Sequence, residues 1–371
     1  MKNIEKNQLG KYRYYFKYKG KNYKGSWCNS QALAREQLFE AQAKVRKDGF
    51  IDNKQITFRQ VHNWVMKDRE LRADESTLNK EIIDCKNHVL PYFADYPIAS
   101  ITIDYCQSMY DKWALELTRY DIIKMYASRV FKEAIRRDII SKNPFDYVKK
   151  PKKHKKPKER EFLERDEFIT FMQAAQKFDI EKYLMVRLLA YTGMRRGELF
   201  GLTWADIDFN SHTVDINKGF KLGLGNKKKI GTPKNDSSYR VLKLDTETIE
   251  LLAKWKQQQA LRIRANNLKV KRDDKQFIFA SQKKNEFTHP NKVYTAIEDI
   301  LKTTDIKKHI TPHGLRHTWT TLFIDTGVEN GFMIAQKQLG HKSMRTTQDI
   351  YTHLTEDKKS KAIDIFLEGF K

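Results

Sequence analysis

The stretch "TPHGLRHTWTTLFIDTG", residues 311–327, crowds two imidazoles and a guanidinium onto one helix start. Thr311 can cap the helix, and Pro312 suits its first turn, where a missing N–H costs nothing. His313 and Arg316 stand three apart and share a face. Alone, this reads as a polar helix start with one satisfied histidine. Three other stretches change its weight. In "LLAYTGMRRGELFGLTWADID", residues 188–208, a buried helix stops at Gly193, Arg195 follows at the turn, Arg196 is adjacent and Glu198 begins the next helix. In "TPKNDSSYRVLKL", Lys234 sits in a hairpin between strand-like runs. In "QLGHKSMRTTQDIYTHL", His341 follows Gly340, Tyr351 comes ten residues later, and His353 lies beside it. Each stretch is commonplace by itself. The order Arg, Lys, His-x-x-Arg, Gly-His, Tyr, spread over about 160 residues, is far more specific. These side-chain types handle anions: arginines stay charged and grip oxyanions with two donors, while His, Lys and Tyr move protons or attack.

Composition points to the same class of partner. The 371 residues carry 71 Lys and Arg against 47 Asp and Glu, a net charge of +24. A field of that sign favours nucleic acid or an anionic membrane surface. No apolar run approaches the ~20 residues of a membrane span, and the amino end, "MKNIEKNQLGKYRYYF", lacks the apolar segment of a signal peptide. Cys28, Cys85 and Cys106 are odd in number, far apart and form no C-x-x-C, so neither a disulfide framework nor a zinc ribbon is expected. The expectation is a soluble cytosolic protein with reduced thiols and no membrane partner.

The elements that must position the chemistry fall into three blocks. Residues 11–24, "KYRYYFKYKGKNYK", alternate, with Tyr12, Tyr14, Phe16 and Tyr18 on one side and Arg13, Lys17 and Lys19 on the other. A further strand is expected over "KGSWC", and a helix then runs to Gly49. Aromatics interleaved with Lys and Arg on this small sheet favour nucleic acid. From Thr57 to about Val148, apolar residues recur at three-and-four spacing in four stretches, one of them "STLNKEIIDCKNHVLPYF", which predicts a compact helical bundle. Residues 149–160, "KKPKKHKKPKER", form a basic linker in which Lys152, Lys153, Lys155 and Lys156 can lie along a phosphate backbone. From Glu161 on, helices dominate, broken by a β-section from about Ile207 to Leu244. Its "GLG" lacks G-K-[ST] and opens no helix, so no ATP site is expected. His313 and His317 have the i, i+4 spacing of H-E-x-x-H, but no Glu follows His313, so no metal or other cofactor is expected.

By the order of its residues and by the words "TGMRRGEL", "HGLRHT" and "LGHKS" followed by "TTQDIYTH", the chain resembles the tyrosine recombinases, or phage integrase family. The resemblance runs from about residue 55 to the end, and the first 50 residues look like the arm-site-binding domain of integrases from temperate phages and conjugative transposons. It implies a mainly α fold with small β parts (α+β): residues 1–50 binding arm-type DNA, a helical core-type DNA-binding domain over 55–148, and a mostly α catalytic domain over 161–371, the two larger domains clamping the duplex.

The resemblance also assigns roles. Tyr351 attacks a DNA phosphodiester, and Arg195 and Arg316 bind its non-bridging oxygens; the pattern T-G-x-R selects Arg195 over Arg196. Lys234 protonates the departing 5′-oxygen from a hairpin tip. His313 donates to the phosphate or exchanges a proton with the tyrosine, and His341 holds the phosphate. Glu198 orients an arginine, with His317 and His353 as neighbours. Implied partners are double-stranded DNA with core-type and arm-type sites, three further copies in a tetramer on paired sites from a monomer in solution, an excision factor and a host DNA-bending protein. The implied setting is the cytoplasm and nucleoid of a bacterial host. Two rival functions use part of the same features: a type IB topoisomerase and a catalytically silent DNA-binding regulator. The segment after Tyr351 carries Ala362, Ile363, Phe366, Leu367 and Phe370 on one helical stripe, which suits either capping its own domain or packing against a neighbouring protomer.

Overall fold

The computed structural model describes residues 3–18, 21–48, 55–152, 161–233 and 236–340. They pack into two compact units, Met1–Asp74 with Lys80–Lys155, and Glu75–Asn79 with Lys156–Lys371.

The first unit opens with an antiparallel sheet of β1 (Ile4–Lys6), β2 (Tyr12–Tyr18) and β3 (Lys21–Lys24), with β2 in the middle. Alternation holds along β2: Phe16 is buried while Tyr15 and Lys17 are exposed. The third strand is not "KGSWC" but Ile4–Lys6, which pairs Ile4 with Tyr14 and Lys6 with Tyr12. Beyond β3, only Cys28 returns to bridge Tyr12. A three-residue edge strand carries too little periodicity to announce itself. Helix α1 (Gln31–Asp48) packs on β2.

A run of helices follows: α2 (Phe58–Arg72), α3 (Glu75–Asp84), α4 (Leu90–Phe93), α5 (Ile103–Glu116) and α6 (Tyr120–Arg136). Thr57 starts α2 with a capping box, its hydroxyl accepting from Gln60 N at 3.3 Å and Gln60 Oε1 accepting from Thr57 N at 3.0 Å. The stretch read as one helix over 76–93 passes instead through a π-helical turn, Cys85–Val89. The core is aromatic: Phe58, Trp113, Phe131 and Phe145 are all buried and in ring contact with the buried Phe93. Each such burial contributes about 1.5–3 kcal/mol. Asn143 holds Phe145 in place, accepting from its N–H at 3.1 Å and donating to Ser128 Oγ at 2.8 Å.

The second unit is built round α8 (Ile180–Thr192), which is buried on nearly every side from Tyr183 to Ala190. A helix buried on every side must sit inside, and its one cation there, Arg187, is paired with Asp245 and Glu247. Helices α7 (Arg165–Ala175), α9 (Arg196–Leu199), α10 (Thr246–Ala265), α11 (Lys292–Leu301) and α12 (Pro312–Ile324) pack against it, and α13 (Gly331–Leu339) packs on α12. The β-section is two small antiparallel sheets. One orders β4 (Ile207–Asp208), β5 (Thr213–Ile216) and β8 (Arg240–Lys243); the other pairs β6 (Gly219–Leu222) with β7 (Lys228–Gly231). The strands flanking Lys234, β7 and β8, therefore pair with different partners and form no hairpin with each other, contrary to the sequence expectation. The hairpin turn lies at "GLG", between β6 and β7. Among the described residues, no helix is long and apolar enough to cross a membrane.

His62, on α2, is only 6% exposed, and neither ring nitrogen meets a hydrogen-bond partner among the described residues. Burial holds its pKa below 6.5, against smaller upward pulls from Asn63 and Glu81. The unfolded chain thus binds a proton at 6.5 that the fold refuses, so stability is lost as pH falls below that value. His62→Leu is expected to raise stability by about 1 kcal/mol at neutral pH, since a buried unsatisfied group costs about that much or more. The gain should grow toward pH 5. Denaturant melts at pH 7.5 and pH 5.5 check it; an equal loss at both would show that the imidazole packs better than leucine.

Candidate active site

Three guanidiniums converge on the C-terminal end of α13. Arg240 Nε donates to the Gln338 carbonyl at 2.7 Å, Arg316 Nη2 to the Leu339 carbonyl at 2.7 Å, and Arg195 Nη2 to the Gly340 carbonyl at 3.0 Å. Three successive carbonyls thus take three different arginines. The last carbonyls of a helix have no intrahelical donor and carry its negative dipole end, so cations are the groups that suit them. Arg316 also donates to the Gly193 carbonyl at 2.6 Å, tying the end of α8 to that of α13.

One buried carboxylate sits among these cations. Glu198, in the first turn of α9, accepts Arg195 N at 2.7 Å and Arg195 Nη1 at 2.8 Å, and takes Arg240 through two bonds of 2.7 and 3.1 Å. Burial by itself would raise the Glu198 carboxyl; the hydrogen bonds and charge of Arg240, then the charge of Arg195, outweigh it and hold the pKa below the usual 4.5. Arg316, 2% exposed, is pressed by burial, and next by the charge of Arg195, down to about 9, which leaves it charged at neutral pH. The four side chains together carry two net positive charges.

The start of α12 forms as its sequence implies, with Thr311 Oγ1 accepting Gly314 N at 3.0 Å. His313 and Arg316 then diverge. Arg316 is drawn inward to Gly193 and Leu339, whereas His313 is exposed, its ring 4.7 Å from and perpendicular to that of the buried His317. Of the adjacent arginines, Arg195 joins the cluster and Arg196 lies over the Tyr294 ring at 5.1 Å.

The chain from 161 to 358 matches the model of the phage integrase family, and residues 54–114 match that of the phage integrase N-terminal SAM-like domain. The chain belongs to the phage integrase family. Among its relatives, the ICEBs1 integrase of Bacillus subtilis is 25% identical over 342 residues, covering 90% of each chain. The Transposase from transposon Tn916 of Enterococcus faecalis is 28% identical over 265 residues, 66% of this chain and 62% of its own. The fold is shared with the Tn1549 transposon integrase solved with a circular intermediate DNA, at a TM-score of 0.66 and 21% identity over 84% of this chain and 99% of that one. It is also shared with a lambda integrase dimer bound to a core site, at a TM-score of 0.57 and 20% identity over 94% of both chains.

The structure brings together Arg195, Glu198 and Arg316 of the residues read from this integrase sequence, with His313 and His317 at the same helix start. Lys234, His341, Tyr351 and His353 lie outside the described residues, as do Lys19, Lys153, Lys155 and Lys156. Lys17 and Lys152 are exposed. Arg13 is engaged within its own sheet, paired with Glu5 on β1 and stacked 4.3 Å over Trp27. Arg240 is the member of the cluster that sequence reading missed. In "YRVLKL" it shares a side with Leu242 and Leu244, so alternation alone turns it inward. Another signal was its lying six residues beyond Lys234 in a stretch already singled out.

Gly340 closes the cluster. Its φ is +65°, and a Cβ there would come within 2.8 Å of the Ser237 carbonyl oxygen, which is backbone and cannot swing away. Gly327 has a similar φ, +71°, but nothing within 4 Å of its missing Cβ. Left-handed backbone costs an L-residue about 1–2 kcal/mol. Gly327→Ala is expected to cost about that much, and Gly340→Ala clearly more. Melting curves of the two variants check the order; equal losses would mean that the 236–240 segment yields freely.

Proposed function

We propose that this integrase is a site-specific DNA recombinase that cuts and rejoins DNA through a 3′-phosphotyrosyl intermediate, integrating or excising a mobile element. The observation that carries the reading is the cluster of Arg195, Arg240 and Arg316 about Glu198, within the span that matches the family. A phosphodiester carries one negative charge, and attack on phosphorus gathers a second on its oxygens. Two net positive charges, held by arginines that stay ionised, complement that state better than the ground state.

In the proposed reaction, Tyr351 Oη attacks the scissile phosphorus; the new O–P bond forms as the bond to the 5′-oxygen breaks. His313 takes the tyrosine proton, Lys234 gives one to the departing 5′-oxygen, and Arg195, Arg316 and His341 hold the non-bridging oxygens. Rejoining is the reverse attack by a 5′-hydroxyl of the partner strand. The phosphotyrosyl bond conserves the energy of the broken ester, so no nucleotide cofactor is needed. The remaining assignments belong to the same reading: residues 1–50 bind arm-type DNA, residues 55–148 and the 149–160 linker bind the core site, and four copies assemble on paired sites, with an excision factor and a DNA-bending protein as accessory partners. The likeness to integrases solved on DNA, one of them a lambda integrase tetramer on a Holliday junction, supports that reading. The setting is the bacterial cytoplasm, at the nucleoid.

Tyr351→Phe removes one hydroxyl and keeps the ring. The variant is expected to bind core DNA within about twofold of the parent and to form no covalent protein–DNA band on a denaturing gel. A persisting band would transfer the nucleophile to another tyrosine, Tyr239 or Tyr294 first. Deleting residues 1–50 is expected to leave core-site cleavage intact and abolish protection of a distal arm-type sequence in a footprint. An unchanged footprint would give the sheet a different partner.

A further inference from the structure

We infer that Arg240 is a positioning residue of the reaction: through Glu198 it sets the pose of Arg195, and through Gln338 it locks the end of α13 to that pair. The inference rests on the recombinase reading and extends it to a residue outside the tyrosine, lysine, two histidines and two arginines assigned above.

Arg240 spans the gap between two elements. It stands at the start of β8, its side chain almost wholly buried, and spends its donors on three groups: both oxygens of Glu198, the Ser238 carbonyl at 3.0 Å and the Gln338 carbonyl at 2.7 Å. The Gln338 bond crosses 98 residues of sequence and ends two residues before Gly340, whose carbonyl takes Arg195. Arg195 and Arg240 are therefore joined twice, by one carboxylate and by one helix end. Arg240 is the buried partner that bonds both oxygens of Glu198, and a buried charge that loses such a partner is costly. With Arg240 in place, Glu198 is an ionised brace that holds the Arg195 guanidinium by one bond and the Arg195 backbone N–H by another. Without it, Glu198 takes up a proton more readily, and the brace on Arg195 weakens as it does. No lysine can replace this geometry, because an ammonium lacks the planar fork that meets a carboxylate and a carbonyl together.

The contribution differs from general stability in a way that kinetics can read. Single-turnover formation of the covalent complex is measured in the full-length parent and in Arg240→Lys and Arg240→Met, on a suicide core site, from pH 5.5 to 8.5. The amount of folded protein and the half-site Kd are measured alongside. The parent comes first: if it forms no covalent complex dependent on Tyr351, the recombinase reading itself fails, and Arg240 is not at issue. Given an active parent, Arg240→Met is expected to bind the half-site within about threefold and to cleave roughly ten- to a hundredfold more slowly per folded molecule, the scale of loss from small misplacement. Its rate should also acquire a fall toward low pH that the parent lacks over the same range, as Glu198 takes up a proton. Arg240→Lys should recover part of the rate. Adding Glu198→Gln to Arg240→Met should remove the acid fall. The inference is overturned if Arg240→Met melts earlier yet cleaves at the parental rate per folded molecule with the parental pH profile, which is the behaviour of a purely structural arginine. It is equally overturned if the pH profile of Arg240→Met is unchanged by Glu198→Gln.

Discussion

The end of α13 leaves three carbonyls without helical donors, and three arginines from three other elements supply them. Much else in the second unit follows from that constraint. Gly193 must turn the chain out of α8 so that its carbonyl meets Arg316. Glu198 must lie in the first turn of α9 to reach both Arg195 and Arg240. Packing three like charges together, two of them buried, is unfavourable. The helix-end dipole and the one carboxylate offset it, and removing a partner from such a group typically costs about 3–5 kcal/mol. The cluster is therefore held by the fold, not by chance proximity of long side chains.

Function builds on the same arrangement. A site that must stabilise developing negative charge gains most when its donors are already oriented, because no reorganisation remains to be done at the moment of reaction. Here the orienting groups are backbone carbonyls and one carboxylate, all acceptors, which leaves the guanidiniums positive. The helix whose end they cap leads directly, in sequence, to His341 and, eleven residues past Gly340, to Tyr351. In the proposed mechanism, the groups that grip the phosphate thus also fix the point from which the nucleophile's segment departs.

How much of this was legible in the sequence depended on how local each signal was. The cap at Thr311, the proline after it, the stop at Gly193 and the buried character of α8 are written within a few residues of where they act. The spacing of His313 and Arg316 correctly placed both at one helix start. It could not say that Arg316 would turn inward to α8 and α13 while His313 stayed exposed, since that depends on neighbours more than a hundred residues away in one case. Arg240 was missed for the same reason: alternation turns it inward beside Leu242, but its partners, Gln338 and Glu198, lie far off in sequence. Strand partners failed likewise. β7 and β8 flank Lys234 as a hairpin's arms would, but β5 and β6 claim them first. The short edge strand Ile4–Lys6 and the π-helical turn at Cys85–Val89 left no periodic trace to read.

The central claim is that two of the three arginines capping α13, Arg195 and Arg316, receive the scissile phosphate. The most direct measurement is the structure of the Tyr351→Phe protein bound to an uncut core site. The account requires guanidinium nitrogens of Arg195 and Arg316 at about 3 Å from non-bridging oxygens of a single phosphate, with Glu198 still bonded to Arg195 and Arg240. A scissile phosphate held by other basic residues, with Arg195 and Arg316 still directed only at the carbonyls of Gly193, Leu339 and Gly340, would contradict it.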